Sequence, residues 1–125
     1  MRRDPAVRRA ALRRGQRAER LAAWWLRLKG YRILACGWRS RLGEIDLIVT
    51  RGDLVAFVEV KRRQEQDVAL RAVSLRQRER IARAARLYVQ EHSELEGRDF
   101  RFDAIILCAG RLPRHVTDAW REESW

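Results

Sequence analysis

The sequence predicts an α/β domain in the order helix, three strands, helix, two strands. Three observations carry this expectation. Residues 7–29 and 75–91 space their apolar side chains as helices do, whereas 44–50 and 54–61 read as strands by alternation and β-rich composition. Gly52-Asp53 separates those two runs as the loop of a tight hairpin. At 125 residues the chain is long enough for one core and too short for two, so a single domain over 1–125 is expected, its core over about 7–120.

The first helix opens at Asp4-Pro5 and stops at Gly30. On a helical wheel Leu12, Gly15, Ala22, Ala23 and Leu26 cluster around Glu19. A carboxylate on an apolar face is costly unless it is paired or coordinates a metal. An arginine from elsewhere and a metal ion are equally good partners on this reading. Leu21, Trp24, Trp25 and Leu28 form a second apolar arc, which predicts a helix wedged between the sheet and another element.

Residues 31–38 form the first predicted strand, and 39–42, with Arg39 and Arg41, a basic connection into the hairpin. If Gly52 and Asp53 are the loop, Arg51 pairs with Leu54, which sets Asp46 opposite Glu59 and Glu44 opposite Lys61. Ile45, Leu47, Val49, Ala56, Val58 and Val60 then form an apolar face. The three acids and Lys61 share the other face with Ile48, Val55 and Phe57. Like charges placed opposite one another destabilise a sheet, and a divalent cation such as Mg²⁺ would offset the repulsion. Of the 28 basic residues only Lys29 and Lys61 are lysine, and an ammonium two residues after Glu59 suits a group that orients or deprotonates a water. The plainer alternative is a set of charges at a strand end, with Lys61 paired to Glu44.

Arg62 and Arg63 lead into a polar, irregular segment, 64–73, which reads either as a loop over the acids or as a simple connection. Ser74 and Gln77 fit a capping box opening the second helix. Its core face is Ile81, Ala84, Ala85 and Tyr88, with Gln77 on the same side. Arg76, Arg80 and Arg83 form a stripe that would hold phosphates or simply face solvent. A turn at 94–97, a strand over 100–108 containing Asp103, a turn at Ala109-Gly110 and an edge strand over 112–116 with Pro113 complete the chain. From Trp120 to Trp125 there is no regular pattern.

A net charge of +11 points to a polyanion partner, with nucleic acid the expected one, although an arginine-rich composition with solvated surfaces gives the same balance. Cys36 and Cys108 are the only cysteines and form no C-x-x-C pair, which argues against a zinc cluster or a disulfide framework. With no apolar run approaching the roughly 18 residues of a membrane span and no apolar signal core, a cytoplasmic protein without a membrane partner is expected.

With Gly43-Glu44-Ile45-Asp46 and Phe57-Val58-Glu59-Val60-Lys61-Arg62-Arg63 in this order of elements, the chain resembles the YraN-like family of small uncharacterised bacterial proteins. The similarity covers roughly residues 15–120 and includes the Gly15 to Glu19 spacing, Lys29-Gly30-Tyr31, Trp38-Arg39, Gln77 and Arg101-Phe102-Asp103. That family in turn resembles the PD-(D/E)xK, or restriction-endonuclease-like, nucleases and the archaeal Holliday-junction resolvases.

The resemblance implies a mixed sheet flanked by helices, with Asp46 and Glu59 as ligands of Mg²⁺ or Mn²⁺ and Lys61 orienting or activating water. Glu19 resembles the helix carboxylate that helps bind metal in resolvase-like members, and Gln77 a helix glutamine near the site. Ile45 stands where the superfamily has a proline. Asp103 matches the family pattern, and the expectation is that it holds an arginine or caps a loop. The function so implied is a metal-dependent DNA endonuclease, with a homodimer as a candidate assembly. The alternatives are a nucleic-acid-binding module of the same fold acting with a partner, or an assembly protein that buries its terminal tryptophans in one.

Overall fold

Pro5 presets the backbone for a first helical turn, and Gly30, at φ +92°, ends the helix by turning the chain left-handed. The amide of Tyr31 closes that end by donating to the carbonyl of Leu26. The computed structural model describes residues 5–63 and 73–122, with the backbone alone over 5–14. Asp4, the side chain of Leu12, residues 64–72 and Trp125, on which the sequence reading also drew, lie outside the described residues.

The elements are α1 (Pro5–Leu28), β1 (Arg32–Ser40), β2 (Gly43–Arg51), β3 (Leu54–Arg62), α2 (Leu75–Glu91), a 3₁₀ turn (Ser93–Leu95), β4 (Asp99–Leu107) and β5 (Arg114–Trp120). This is the expected α-β-β-β-α-β-β order. The strands form one sheet in the order β1-β2-β3-β4-β5. It is mixed, because β3 and β4 run parallel across the α2 crossover while the other neighbours are antiparallel.

Each helix covers one face. Ala22, Ala23 and Leu26 of α1 pack on Leu47, Val49, Ala56, Val58 and Ile105. Ile81, Ala84, Ala85 and Tyr88 of α2 pack on Ile48, Val55, Phe57, Phe102 and Ala104. The second layer is aromatic, with Tyr88 edge-on to Trp38 at 5.2 Å and Phe102 stacked on Trp120 at 5.2 Å. Such ring pairs add about 0.5–1.5 kcal/mol each beyond burial.

Three features differ from expectation. β1 runs on through Ser40, so that the connection shrinks to Arg41-Leu42, with the Ser40 hydroxyl donating to the Gly43 carbonyl at 3.0 Å. β5 begins after Pro113, which has no N–H for the ladder, and continues to a buried Trp120. The second apolar arc of α1 is not wedged: Leu21, Trp24 and Leu28 are exposed.

The side-chain alternation of β2 also departs from the simple pattern. Leu47 and Val49 face α1 as expected, but Ile45 packs with the α2 layer. The faces exchange around Asp46. In β1, Gly37 lies between Cys36 and Trp38, which pair with Leu47 and Ile45, and its φ of +59° lets that strand turn over with β2.

Candidate metal centre

The hairpin turns on Gly52-Asp53, and the ladder of paired residues runs from Arg51↔Leu54 to Leu47↔Val58. It ends there. One residue further along β2, the Asp46 Oδ2 accepts the backbone N–H of Val60 at 2.8 Å. A side chain thus fills the gap where the two strands separate, and Asp46 stands in the fork.

Three carboxylates meet on the α1 side of that fork. Glu19, Glu44 and Asp46 each offer an oxygen within 4.8 Å of the others. They share a cavity of about 500 Å³ with Gln16, Cys36 and Gly37. A Cβ on Gly37 would stand 3.4 Å from Glu19 Oε2 and 3.8 Å from Glu44 Oε1, so the glycine keeps open the wall against which both acids lie.

Glu59 and Lys61 alternate with Val58 and Val60, whose side chains turn toward the α1 layer. They form an ion pair at 3.1 Å, each side chain about 15% exposed or less. Glu59 also shares a hydrogen bond with Asp46. It lies outside the three-carboxylate group. The fork therefore links two charged assemblies, Glu19-Glu44 on one side and Glu59-Lys61 on the other, with Asp46 between them.

The electrostatics follow from this crowding. Burial raises the Glu19 carboxyl to about 7, with Asp46 and then Glu44 adding to the effect and Arg39 opposing it. Burial also raises Glu59 to about 7, with Asp46 next in weight and Lys61 working against it. Asp46 is raised as well, chiefly by burial, and the Val60 amide limits the shift. Lys61 beside Glu59 and Arg39 near Glu19 offset this crowding only in part. An all-oxygen donor set of this kind fits a hard divalent cation, Mg²⁺ or Mn²⁺.

Among the described residues no arginine forms an ion pair with Glu19; its neighbours are carboxylates, and Arg39 acts on it at longer range. Glu44 is not paired with Lys61 either. Its ion-pair partner is Arg39, at 3.8 Å on an exposed rim where such a contact contributes little. Gln77 caps α2: its Oε1 accepts the Ser74 amide at 3.1 Å while Ser74 Oγ accepts the Gln77 amide at 3.2 Å.

Among the expected phosphate contacts, Arg39 and Arg41 lie at the β1–β2 turn, and Arg80 packs on Gly43 of the same turn, where an added Cβ would meet its Cγ at 3.0 Å. Arg76 and Arg83 are exposed on α2. Arg62 and Arg63 instead line a groove with Leu21 of α1.

Alternation grouped Glu44 with Asp46, Glu59 and Lys61; its meeting with Glu19, away from Glu59 and Lys61, was not legible in the sequence. Cys36 and Gln16 carried no signal of their own.

Asp103 is fully buried in β4 and forms a second polar centre. It accepts two bonds from Arg101 at 2.7 Å, one from His115 Nε2 at 2.8 Å and one from the Asp118 amide at 3.0 Å. It therefore both holds an arginine and pins the irregularity in β5 where Asp118 adopts φ +53°. Its carboxyl is held below the usual range, these partners outweighing the effect of burial.

Fold and site together define a small α/β protein with an acidic, oxygen-donor pocket at the fork of a mixed sheet. The model of the uncharacterised protein family UPF0102 matches residues 18–107, and the chain belongs to this family, the YraN-like one that its motifs resemble. The matched span contains Glu19, Glu44, Asp46, Glu59, Lys61, Gln77 and Asp103. The UPF0102 protein of Paramagnetospirillum magneticum is 53% identical over 116 residues, covering 90% of each chain. That of Rhizobium johnstonii is 48% identical over 115 residues, 92% of this chain and 94% of the relative. That of Parvibaculum lavamentivorans is 47% identical over 118 residues, 94% and 89%. No helix among the described residues is long and apolar enough to cross a membrane.

Proposed function

We propose that this chain is a metal-dependent endonuclease that hydrolyses phosphodiester bonds of DNA, with branched or damaged DNA as its substrate class. The observation that carries the reading is the convergence of Glu19, Glu44 and Asp46 within 4.8 Å at the strand fork, next to Glu59 and Lys61. An acidic residue on one strand with Glu-x-Lys on the next is the pattern of the PD-(D/E)xK nucleases. A cluster of raised carboxylates in a basic protein is otherwise costly to keep.

Asp46, Glu19 and Glu44 would hold Mg²⁺ or Mn²⁺, with Glu59 reaching the same ion through its contact with Asp46. A bound ion of this type polarises a phosphate and lowers the pKa of a coordinated water. Asp46 is positioned by the Val60 amide and Glu59 by the Lys61 ammonium. Lys61 would orient the attacking water from its place beside Glu59. Arg39, Arg41 and Arg80, grouped around the β1–β2 turn, would hold flanking phosphates without reading sequence. Gln77, committed through its oxygen to the helix cap, would act by fixing the start of α2.

A second reading is a nucleic-acid-binding module that needs a partner for chemistry. The observation in its favour is that Glu59 is engaged by Lys61 outside the three-carboxylate group. One assay separates the two: the purified protein with single-stranded, duplex, flap and four-way-junction DNA, in Mg²⁺, Mn²⁺ or EDTA, beside Asp46→Asn. Cleavage that needs metal and is lost in the variant supports the nuclease. Binding without cleavage under every condition supports the module.

A further inference from the structure

α1 carries two unlike faces. Ala22, Ala23 and Leu26 are buried against the sheet, whereas Leu21, Trp24 and Leu28 are 44%, 55% and 62% exposed. At roughly 100° per residue, Trp24 lies at the centre of the exposed arc. Leu21 and Leu28 fall on one side of it and Arg20 and Arg27 on the other, with Arg17 two turns toward the N-terminus. Glu19, the one acid in the helix, points away from this arc.

The arc is bordered by positive charge at both edges. Beyond Leu21 a groove of about 350 Å³ leads to Arg62 and Arg63. At the other edge Arg27 lies within electrostatic reach of Cys36, which lines the acidic pocket. Arg17, Arg20 and Arg27 form no ion pair with any described residue.

We propose that this face of α1 is a stacking platform for unpaired nucleotides of a single strand, with Trp24 as the stacking ring. An exposed indole gives any base a flat apolar partner, and guanidiniums one turn to either side can hold the phosphates of the same strand. Charge decides against the other occupants. A second copy docked on this face would bring its arginines against these. A membrane-surface helix inserts its broad apolar face, and here that face lies in the core. Trp24 is five residues from Glu19, about 7.5 Å along the axis and on the far side of the helix, so a strand stacked there adjoins the segment at the acids rather than occupying it.

The inference rests on nucleic acid being the ligand and not on cleavage. The test is binding of a labelled oligothymidylate of about 16 nucleotides and of a blunt duplex of equal length to the full chain, to Trp24→Ala and to Trp24→Phe. Trp24→Ala should weaken oligothymidylate binding about tenfold and duplex binding less than about twofold, while Trp24→Phe keeps most of the affinity. Unchanged oligothymidylate binding by Trp24→Ala overturns the proposal. So does an equal loss on both DNAs, a Trp24-dependent change in sedimentation of the free protein, or a Trp24-dependent loss of binding to anionic vesicles alone. A protein that cleaves no DNA yet binds oligothymidylate through Trp24 keeps this inference and loses the nuclease; cleavage with Trp24-independent binding does the reverse.

Discussion

Asp46 Oδ2 accepts the backbone N–H of Val60 at 2.8 Å. With Leu47 paired to Val58, a regular ladder would next offer that amide to the carbonyl of Ile45. The carboxylate takes the carbonyl's place, and β2 leaves β3 at the residue where the charges begin. An acid in this position is fixed by main chain rather than by a neighbouring rotamer. Asparagine can still accept from Val60, so Asp46→Asn should fold as the parent does, with its melting temperature within a few degrees. A collapsed fold in that variant, seen by circular dichroism, would show that the charge itself and not the hydrogen bond holds the fork.

The raised carboxyls make a prediction about pH. Glu19 and Glu59 go to about 7 in the folded protein, above their ordinary value, so folding favours their protonated forms. That contribution is fully present below the unfolded pKa and is lost as pH rises through about 7. Metal-free protein should therefore melt at a lower temperature at pH 8 than at pH 5, and millimolar Mn²⁺ should recover the difference at pH 8 only. Glu19→Gln should flatten the profile and raise the melting temperature of the metal-free protein at pH 8. A profile unchanged by the variant would remove Glu19 from the cluster.

Gly37 is the second lever on the site. At φ +59° an alanine is strained by roughly 1–2 kcal/mol, and its methyl would lie 3.4 Å from Glu19 Oε2. Gly37→Ala should lower the urea midpoint accordingly and, because relief of that strain shifts the strand against which Glu19 and Glu44 lie, weaken Mn²⁺ binding, as read by calorimetry. Gly52→Ala, at φ +60° but with open space around it, should show similar strain without the loss of metal affinity.

Ser74 and Gln77 separate capping from any role at the acids. Ser74→Ala should cost about 1 kcal/mol of stability, the usual loss of an N-cap, and leave the proposed DNA cleavage intact. If Gln77→Ala lowers cleavage more than Ser74→Ala at matched stability, glutamine serves the site as well as the helix; equal effects would confine it to the cap.

Asp103 should be the most costly acid to remove. Asp103→Asn leaves Arg101 and His115 without their buried anion, and breaking such an arrangement costs about 3–5 kcal/mol. Because the folded carboxyl is depressed, its contribution is present above the unfolded pKa and is lost as pH falls through the folded one. Chemical denaturation should show the gap between parent and Asp103→Asn closing in strong acid. A variant as stable as the parent at pH 7 would mean that this centre is not structural.

Local patterns determined much of this protein. The helix stop at Gly30, the two-residue turn at Gly52-Asp53, the capping box of α2 and the core face Ile81-Ala84-Ala85-Tyr88 follow from short-range backbone and periodicity rules, and all are found in place. The acids Glu19, Asp46 and Glu59 stood out because charge at apolar positions needs a reason. What the sequence did not determine lies where long-range packing overrides alternation. The exchange of faces at Asp46 requires β1 and β2 to turn over together at Gly37, and this brings Glu44 to Glu19 instead of Lys61. The exposure of Trp24, the burial of Trp120 on Phe102 and the meeting of Asp103 with its three partners likewise depend on which elements meet in space. Periodicity fixes the direction of a side chain relative to its own strand or helix. Only the tertiary structure decides what stands opposite.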